Sequence, residues 1–493
     1  MIPAGINPLR ERWSPATIAL ALTLLAFAVR AAHLGAQSLW RDEVDVIRFA
    51  AEPLDRLLRN MTLAQHNGPL YYVLMRGWLA VAGESEYGLR YVSLCASVVS
   101  VALVWRVARA WLGRRAALLA CLLVAVSAYL VWYAQDAKMY ALVTALTLAA
   151  LWCWQRALST GAVRWYAGFV VTASLGLYIH LLSALMLPVY AVMVAIHWPR
   201  RRGRVRAAGV SLTLLTLPYL PLAVWQLPLI WNTHSTGHSF APLDDMFEML
   251  LGLNARGMVN VAAWPALLSF LFALLLGLFG PRPGWGGSAW RGRLFLATWA
   301  FLPIFLLYLV SLRVPLFEPR YLIFTTPPLL MLAAAGIFGL TALSRVVGGV
   351  LLAAIVAFNW LGIGVQAAFP LKSDFRTAAA FVADRYRDGE PIMFQVPYVR
   401  YVFDYYFRCP HPTLDGPWTN DGKDEAQVAQ MMAAAAAGHE TLWLVSSESW
   451  LWDERGLTRA WLERHGDLVD SASFARVDVF RYRLGDSDLL PTQ

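Results

Sequence analysis

Long apolar stretches constrain this chain more than any other feature of its sequence. An α-helix needs about 20 apolar residues to cross the hydrocarbon core of a bilayer. Only 15% of the 493 residues are charged, whereas a soluble domain has roughly 25%. Eleven stretches approach the required length, at about residues 16–34, 90–108, 116–133, 139–156, 165–180, 182–197, 208–228, 262–280, 293–312, 321–342 and 347–369. The sequence therefore predicts a polytopic α-helical membrane protein.

Arginines between these stretches predict how the chain is oriented. The net charge is +9, and Lys138, Lys372 and Lys423 are the only lysines. The arginines concentrate in alternate connections: Arg10 and Arg12; Arg106, Arg109, Arg114 and Arg115; Arg156 and Arg164; Arg200, Arg201, Arg202, Arg204 and Arg206; Arg282, Arg291 and Arg293; and Arg345. Basic loops remain in the cytoplasm. We therefore expect a cytoplasmic N-terminus, an outer C-terminus, and no nucleic-acid partner.

Three features argue against a disulfide-linked protein, a zinc protein and a cleaved signal peptide. They are the cysteines, the first apolar stretch and one histidine pair. Four cysteines give neither a disulfide framework nor the spacing of a zinc site. The first apolar stretch is long enough to span, and no small-residue cleavage pattern follows it. His234 and His238 lie four residues apart, but their loop lacks helix signals, so a metal site there is not favoured.

The expected outer segments have structure of their own. Apolar residues recur at helical spacing between 44 and 61, which predicts one or two amphipathic helices on the bilayer surface. Residues 68–81 are apolar but short, and we interpret them as a surface or re-entrant helix. We divide the chain into a membrane domain, 1–370, and an outer domain, 371–493.

Alternating patterns in the outer domain predict a small α/β fold. Strands are expected at 391–396, 441–445 and 475–483. Helices are expected near 374–387, 424–437 and 456–465. Strands that alternate with helices are typical of an α/β domain.

The outer loops also hold a set of ionisable and polar residues, which are Asp42, Glu43, His66, Asn67, Asp136, Lys138, His180, Glu318 and Arg320. Carboxylates can deprotonate a hydroxyl, and cations can hold a phosphate. Asp42 and Glu43 are adjacent, so on a helix their side chains diverge by about 100°. We expect one of them to face a reaction and the other to hold the loop. Each residue alone could instead be an interfacial anchor or a structural histidine.

Five motifs, in order, resemble those of the C-superfamily membrane glycosyltransferases, in particular their family 39 branch. They are the Asp42-Glu43 pair, His66-Asn67-Gly68-Pro69-Leu70-Tyr71-Tyr72, Glu86-Tyr87-Gly88-Leu89-Arg90, Gln135-Asp136-Ala137-Lys138-Met139-Tyr140 and Pro319-Arg320-Tyr321-Leu322. The resemblance covers about residues 10–370. The members of this superfamily include the protein O-mannosyltransferases and the aminoarabinose transferases of lipid A. Two departures are that Asn67-Gly68 replaces Pro-Pro and that Lys138 replaces the commoner Arg.

The resemblance implies a function and a set of roles. The donor would be a polyprenyl-monophosphate sugar, and the acceptor the hydroxyl of a lipid, glycan or protein. Transfer would occur with inversion on the outer face of a bacterial-type plasma membrane. The enzyme would be a hexosyl or pentosyl transferase of the mannosyltransferase type.

The same resemblance assigns roles to residues of this sequence. Asp42 would be the general base, with Glu43 beside it. Asp136 would support the site or bind a divalent cation. A divalent cation is the one cofactor that the resemblance leaves undecided. Lys138 and Arg320 are candidates to bind the donor phosphate. The remaining candidate binding residues are His66, Tyr140, His180, Glu318 and Tyr321, and the helix at 44–61 could form the wall of a groove for the lipid tail.

Two other classes of function stay open at the level of sequence. A transporter or flippase of a lipid-linked saccharide would show internal repeats and helices broken at mid-membrane. The sequence shows no repeat, and Pro218 and Pro221 are the main mid-span breakers. A receptor whose outer domain binds a partner would leave the charged loops unexplained.

Overall fold

The structure is a computed structural model that describes residues 14–60, 68–197, 202–231 and 238–485. The chain forms two compact units. The membrane unit comprises Met1–Leu34 and Phe49–Gln366, and the tail unit comprises Gly35–Arg48 and Ala367–Gln493. The segment that carries Asp42 and Glu43 therefore belongs to the same compact unit as the C-terminal part of the chain.

Sixteen α-helices in the described residues precede the C-terminal domain. They are α1 (Pro15–Ala31), α2 (Arg41–Ala51), α3 (Leu54–Asn60), α4 (Pro69–Ala82), α5 (Glu86–Ala108), α6 (Arg114–Ala125), α7 (Ala128–Ala134), α8 (Tyr140–Thr160), α9 (Val163–Ile179), α10 (Leu187–His197), α11 (Arg202–Trp231), α12 (Leu243–Arg256), α13 (Ala263–Phe279), α14 (Ala289–Ser311), α15 (Thr326–Leu343) and α16 (Arg345–Ala368). Short 3-10 helices at Leu181–Met186 and Pro319–Thr325 precede α10 and α15.

Several of these helices have the length and composition of membrane spans. Within the described residues five helical segments qualify: α5, α8, α14, α16 and the continuous segment Pro319–Leu343. The bent pair α6 and α7 would add a sixth, and four further apolar helices are shorter. Helical segments thus occur at each of the eleven predicted stretches. The protein is an integral membrane protein, and the number of its helices that cross the bilayer stays a prediction.

The predicted span at 116–133 is not one continuous helix. It breaks between α6 and α7, whose axes differ by 54°. The guanidinium of Arg30 donates to the Ala125 and Val124 carbonyls, at 2.7 and 3.0 Å. These carbonyls lie at the end of α6 and have no partner within that helix. Arg30 is fully buried and stabilises a break that hydropathy alone does not reveal.

Glycines bring two of the membrane-unit helices into close contact. A Cβ added to Gly277 on α13 would lie 2.1 Å from the Leu332 carbonyl oxygen on α15. A Cβ on Gly336 would lie equally close to the Ala273 carbonyl oxygen. Small residues allow such approach where lipid removes the hydrophobic drive to pack. Arg320 lies in the 3-10 helix that directly precedes α15.

A five-stranded mixed sheet forms the centre of the tail unit. Its strands are β1 (Ile392–Phe394), β2 (Thr413–Asp415), β3 (Thr441–Ser446), β4 (Gly466–Phe474) and β5 (Val477–Leu484), in the order β2-β1-β3-β5-β4. β1 pairs in parallel with β2 and β3, and β5 pairs antiparallel with β3 and β4. The helices are α17 (Phe375–Ala383), α18 (Arg400–Tyr406), α19 (Glu425–Ala436) and α20 (Leu457–His465).

The sequence patterns found part of this domain. The expected strands correspond to β1, β3 and β5, and the expected helices correspond to α17, α19 and α20. The patterns missed β2, β4 and α18. β2 is only three residues long, and most residues of β4 are not buried, so neither strand shows a strong apolar alternation. The three predicted strands include the buried centre of the sheet, which hydrophobicity reveals best.

Candidate active site

Asp42 and Glu43 lie in the first turn of α2, where acidic side chains interact favourably with the helix dipole. Their surroundings differ sharply. Glu43 is fully buried, and its Oε2 lies 3.0 Å from the Lys372 ammonium, which is itself buried. Lys372 directly precedes the segment that leads to α17. One of the two acids is therefore fixed inside the tail unit by an ion pair.

Asp42 is more accessible than Glu43 and faces a cation. Its side chain is 15% exposed, and its Oδ1 lies 3.6 Å from the Arg41 guanidinium. Arg41 also lies 3.5 Å from Glu448 Oε2 and 4.8 Å from the centroid of the Tyr398 ring. Burial lowers the pKa of Arg41, but the charges of Asp42 and Glu448 outweigh it, so the pKa is raised. Arg41 therefore stays charged beside Asp42.

The segment that precedes α2 is anchored at many points within the tail unit. Arg376 donates to three of its backbone carbonyls, Gln37 bonds to the backbone at 369–372, and the Tyr406 hydroxyl accepts from the Leu39 amide. Arg48 lies 3.4 Å above the Tyr401 ring. These contacts fix the segment that leads into the first turn of α2, where Asp42 lies. Backbone contacts of this kind leave no motif in the sequence.

In the membrane unit, three loops bring predicted binding residues together. The Tyr140, His180 and Tyr321 rings contact one another, with centroids 5.5 to 6.3 Å apart. Tyr140 begins α8, His180 ends α9, and Tyr321 lies in the 3-10 helix before α15. The site thus draws on positions that are far apart in sequence.

Arg320 adds a positive charge to this group of rings. Its guanidinium lies 5.9 Å from the centroids of both Tyr140 and Tyr321. Glu318 lies 3.8 Å from Arg320 and 3.8 Å from His238, whose ring also contacts Tyr321. Burial lowers the pKa of His238 despite the opposing charge of Glu318. Arg320 is therefore the cation of this cluster at neutral pH.

His180 has an unusual environment for a polar side chain. It is 1% exposed. Neither ring nitrogen has a hydrogen-bond partner among the residues that the structure describes. A buried polar group without a partner costs free energy, so such a group commonly marks a ligand or a functional role. His180 contacts both Tyr140 and Tyr321, and a ligand hydroxyl or phosphate would satisfy it.

Asp136 and Lys138 form a tight turn before α8. The Lys138 amide donates to the Asp136 carbonyl at 2.8 Å, and the Ser93 hydroxyl donates to the Lys138 carbonyl at 3.1 Å. Both side chains are nearly buried, with 1% and 9% of each residue exposed. The turn leads directly into Tyr140, so Asp136 and Lys138 are placed beside the ring cluster by the backbone.

His66 and Asn67 lie outside the described residues, but Gly68 of the same motif is described. Gly68 has a φ of +79°, which proline cannot adopt. A Cβ on Gly68 would lie 2.4 Å from the Ile179 carbonyl oxygen and 3.0 Å from the Met139 side chain. The glycine that departs from the family pattern therefore packs against the neighbours of His180 and Tyr140.

The predicted residues thus form two groups, each within one compact unit. The membrane unit brings together Tyr140, His180, Glu318, Arg320 and Tyr321, and the tail unit holds Asp42 and Glu43. Motifs did not single out Lys372, Arg41 or His238 as parts of such a site. Lys372 could have been suspected because lysine is so rare in this chain. Within the described residues no group of three His, Cys, Asp or Glu side chains is arranged to hold a metal ion.

Comparison with known proteins finds one family model and several solved structures that are similar to this chain. Residues 66–225 match the model of the family described as dolichyl-phosphate-mannose-protein mannosyltransferase. No curated protein matches the sequence. ArnT from Cupriavidus metallidurans, in the apo state, is similar with a TM-score of 0.59 at 14% identity, over 95% of this chain and 98% of that chain.

Two further structures share the fold. ArnT bound to undecaprenyl phosphate gives a TM-score of 0.55 at 14% identity, over 96% of this chain and 99% of that chain. The Archaeoglobus fulgidus oligosaccharyltransferase with a tethered acceptor peptide gives 0.54 at 10% identity, over 98% of this chain and 75% of that chain. At such identities the likeness concerns the fold.

Proposed function

We propose that this chain is a membrane glycosyltransferase of the C superfamily, and that it transfers a sugar from a polyprenyl-monophosphate donor to an acceptor hydroxyl. The acceptor oxygen attacks the anomeric carbon, and the bond from that carbon to the phosphate oxygen breaks. The polyprenyl phosphate leaves with the electron pair, and the configuration inverts. The reaction takes place on the outer face of the membrane.

The observation that carries this proposal is the cluster of Tyr140, His180, Arg320 and Tyr321. It combines flat aromatic rings, a cation and a buried imidazole whose nitrogens have no partner among the described residues. A sugar phosphate offers matching groups, since it carries negative charge and hydroxyls. Arg320 would bind the phosphate, and its guanidinium can offer two parallel hydrogen bonds. Charge that grows on the leaving phosphate would then be stabilised in the transition state.

Asp42 is the proposed general base. A carboxylate that removes the proton of the acceptor hydroxyl must be accessible, and Asp42 is more accessible than Glu43. The Arg41 guanidinium lies 3.6 Å from Asp42 Oδ1 and places a positive charge beside the proposed base. Glu43 is a positioning residue in this account, because its buried contact with Lys372 orients the first turn of α2.

Asp136 and Lys138 are the remaining polar residues of the proposal. Lys138 would add a second positive charge on the donor side, and Asp136 would support the turn or a divalent cation. Tyr140 and Tyr321 would line the sugar-phosphate pocket together with Glu318, and His66 would do so from the segment before Gly68. The amphipathic segment 44–61 would border the lipid tail.

Reconstitution of the full chain in lipid tests the proposal. The purified protein is supplied with a panel of polyprenyl-phosphate sugars and with lipid, glycan and peptide acceptors. We expect transfer from a monophosphate donor, with the opposite anomeric configuration in the product. Addition of EDTA tests the divalent cation. Transfer with retention, or movement of an intact lipid-linked saccharide across the membrane without transfer, would contradict the proposal and favour a transporter.

A further inference from the structure

Three aromatic residues on the tail unit, of which Trp418 is exposed and Tyr398 and Trp452 are half-buried, form a row that begins at Arg41, beside Asp42. The Tyr398 ring lies 4.8 Å from the Arg41 guanidinium carbon and 6.1 Å from the Trp452 ring. Trp452 in turn lies 5.7 Å from Trp418. We call Tyr398, Trp452 and Trp418 the aromatic row. The row is continuous with the proposed base, since Arg41 lies 3.6 Å from Asp42.

The loops that carry the row are tied to each other. The Thr419 and Asn420 amides both donate to the Trp452 carbonyl, at 2.9 and 3.3 Å. The Trp452 indole donates to the Gly416 carbonyl at 3.1 Å. Trp418 nevertheless remains 46% exposed. A large aromatic side chain that is held in place and left open to solvent is typical of a binding surface.

Polar groups accompany the aromatic surface. Asn420, Asp421 and Lys423 follow Trp418 in the chain, and the Lys423 ammonium lies 5.9 Å from the Trp418 ring. A sugar ring has an apolar C–H face, which packs on the negative face of an aromatic ring, and hydroxyls at its edge. A surface of flat rings bordered by amide, carboxylate and ammonium groups matches both features of a sugar.

We propose that the aromatic row is a binding site for a saccharide acceptor. This inference rests on the proposed function and adds the chemical class of the acceptor. An acceptor whose hydroxyl reaches Asp42 must extend away from it along some surface. The aromatic row begins at the cation beside Asp42 and continues outward through Trp452 to Trp418, so it offers that path to successive sugar rings.

The segment that carries Trp452 also supplies a matched control. Trp450 is 53% exposed, and its ring lies 5.8 Å from Arg476 rather than in the aromatic row. A loop that dips into the bilayer would depend on Trp450 and the exposed Leu451 at least as much as on Trp418. A surface that binds a saccharide through the aromatic row would depend on Trp418 and not on Trp450.

Calorimetric titration of the full-length protein in detergent micelles tests the inference. The probes are mannohexaose, chitohexaose and an oligogalacturonate, each added without donor. We expect at least one probe to bind, Trp418→Ala to weaken binding about tenfold, and Trp418→Tyr and Trp450→Ala to keep it. No binding to the unaltered protein, or equal losses in Trp418→Ala and Trp450→Ala, would overturn the inference.

The two proposals fail separately in these measurements. Saccharide binding is measured without donor, so it does not require the transfer reaction. With an acceptor that the transfer assay accepts, Trp418→Ala should raise the KM for acceptor and leave kcat nearly unchanged, as loss of uniform binding does. Unchanged KM would overturn the saccharide site, whereas transfer by the unaltered protein would still support the glycosyltransferase proposal.

Discussion

The Lys372 ammonium lies 3.0 Å from the Glu43 carboxylate, and both side chains are buried in the tail unit. Removing one partner of a buried ion pair leaves an uncompensated charge, which costs about 3–5 kcal/mol. The pair joins the start of α2 to the segment before α17. It therefore fixes the turn on which Asp42 lies.

We expect Lys372→Met to lower both the thermal stability of the full chain and its kcat, because Glu43 then remains buried without its cation. The double variant Glu43→Met with Lys372→Met removes both charges and should regain most of the stability. Thermal melts and transfer rates are measured for Lys372→Met, Glu43→Met and the double variant, which together form a double-mutant cycle. Recovery of stability and activity together supports a positioning role for Glu43. A stable double variant with no activity would show that Glu43 acts on the substrate directly.

Arg320 provides a second prediction, on the donor side. Arg320→Lys keeps the charge but loses the planar pair of donors, so kcat should fall about tenfold or more. Lys138→Arg should be tolerated, because arginine is the commoner residue of the resembling family. Arg313→Lys is the matched control, since Arg313 lies on the same connection and is exposed. Equal activity of the Arg320 and Arg313 variants would remove Arg320 from the site.

The orientation of the chain is tested with its own cysteines. Cys409 of the tail unit is exposed, and Cys95 lies on the apolar helix α5. In a Cys95→Ser background, an impermeant thiol reagent should label Cys409 on intact cells if the tail lies outside. Cys409→Ser provides the blank. Labelling that appears only after lysis would reverse the orientation and the proposed outer site with it.

The tail unit contains a buried acid whose titration predicts a pH dependence. Burial raises the pKa of Glu390, but hydrogen bonds from Arg481 and Trp443 and the charge of Arg481 outweigh it, so the pKa is lowered. Ionised Glu390 therefore stabilises the domain above its unfolded pKa, and this contribution is lost as the pH falls through the lower folded pKa.

Glu390→Gln should destabilise the domain at neutral pH and reduce its loss of stability on acidification. Hydrogen exchange of strands β3 and β5 in the full chain measures both effects. Glu425→Gln is the control, because its salt bridge with Arg464 is exposed and weak. Equal behaviour of the two variants would mean that the buried Glu390 network contributes nothing specific.

The sequence predicted the apolar segments well, because membrane spans depend on composition over about 20 residues. It did not predict the break between α6 and α7, which depends on carbonyl contacts of Arg30 from another helix. The ordered motifs predicted a resemblance that the family match over residues 66–225 and the fold shared with ArnT both support. They could not reveal that residues 35–48 belong to the tail unit, since that grouping rests on distant contacts of Arg376 and Lys372.

The sequence identified candidate residues, but it did not predict which of them lie close together in the fold. Tyr140, His180 and Tyr321 are separated by long stretches of sequence, and only the fold brings their rings together. The aromatic row left no sequence signal, because its three residues lie on separate loop segments and follow no period. At position 68 this chain has glycine where the resembling family has proline. The structure gives the reason, since Gly68 has a positive φ and lies close to the Ile179 carbonyl. The sequence suggests this only weakly.

The most direct measurement is the transfer rate of Asp42→Asn beside Asp45→Asn in reconstituted protein with one accepted donor. Both variants lose one negative charge on α2, but Asp45 pairs with Arg48 at 2.7 Å rather than with Arg41. The proposed mechanism predicts that Asp42→Asn lowers kcat by about 10²-fold or more while Asp45→Asn stays near normal. Near-normal transfer by Asp42→Asn would contradict the assignment of Asp42 as the base.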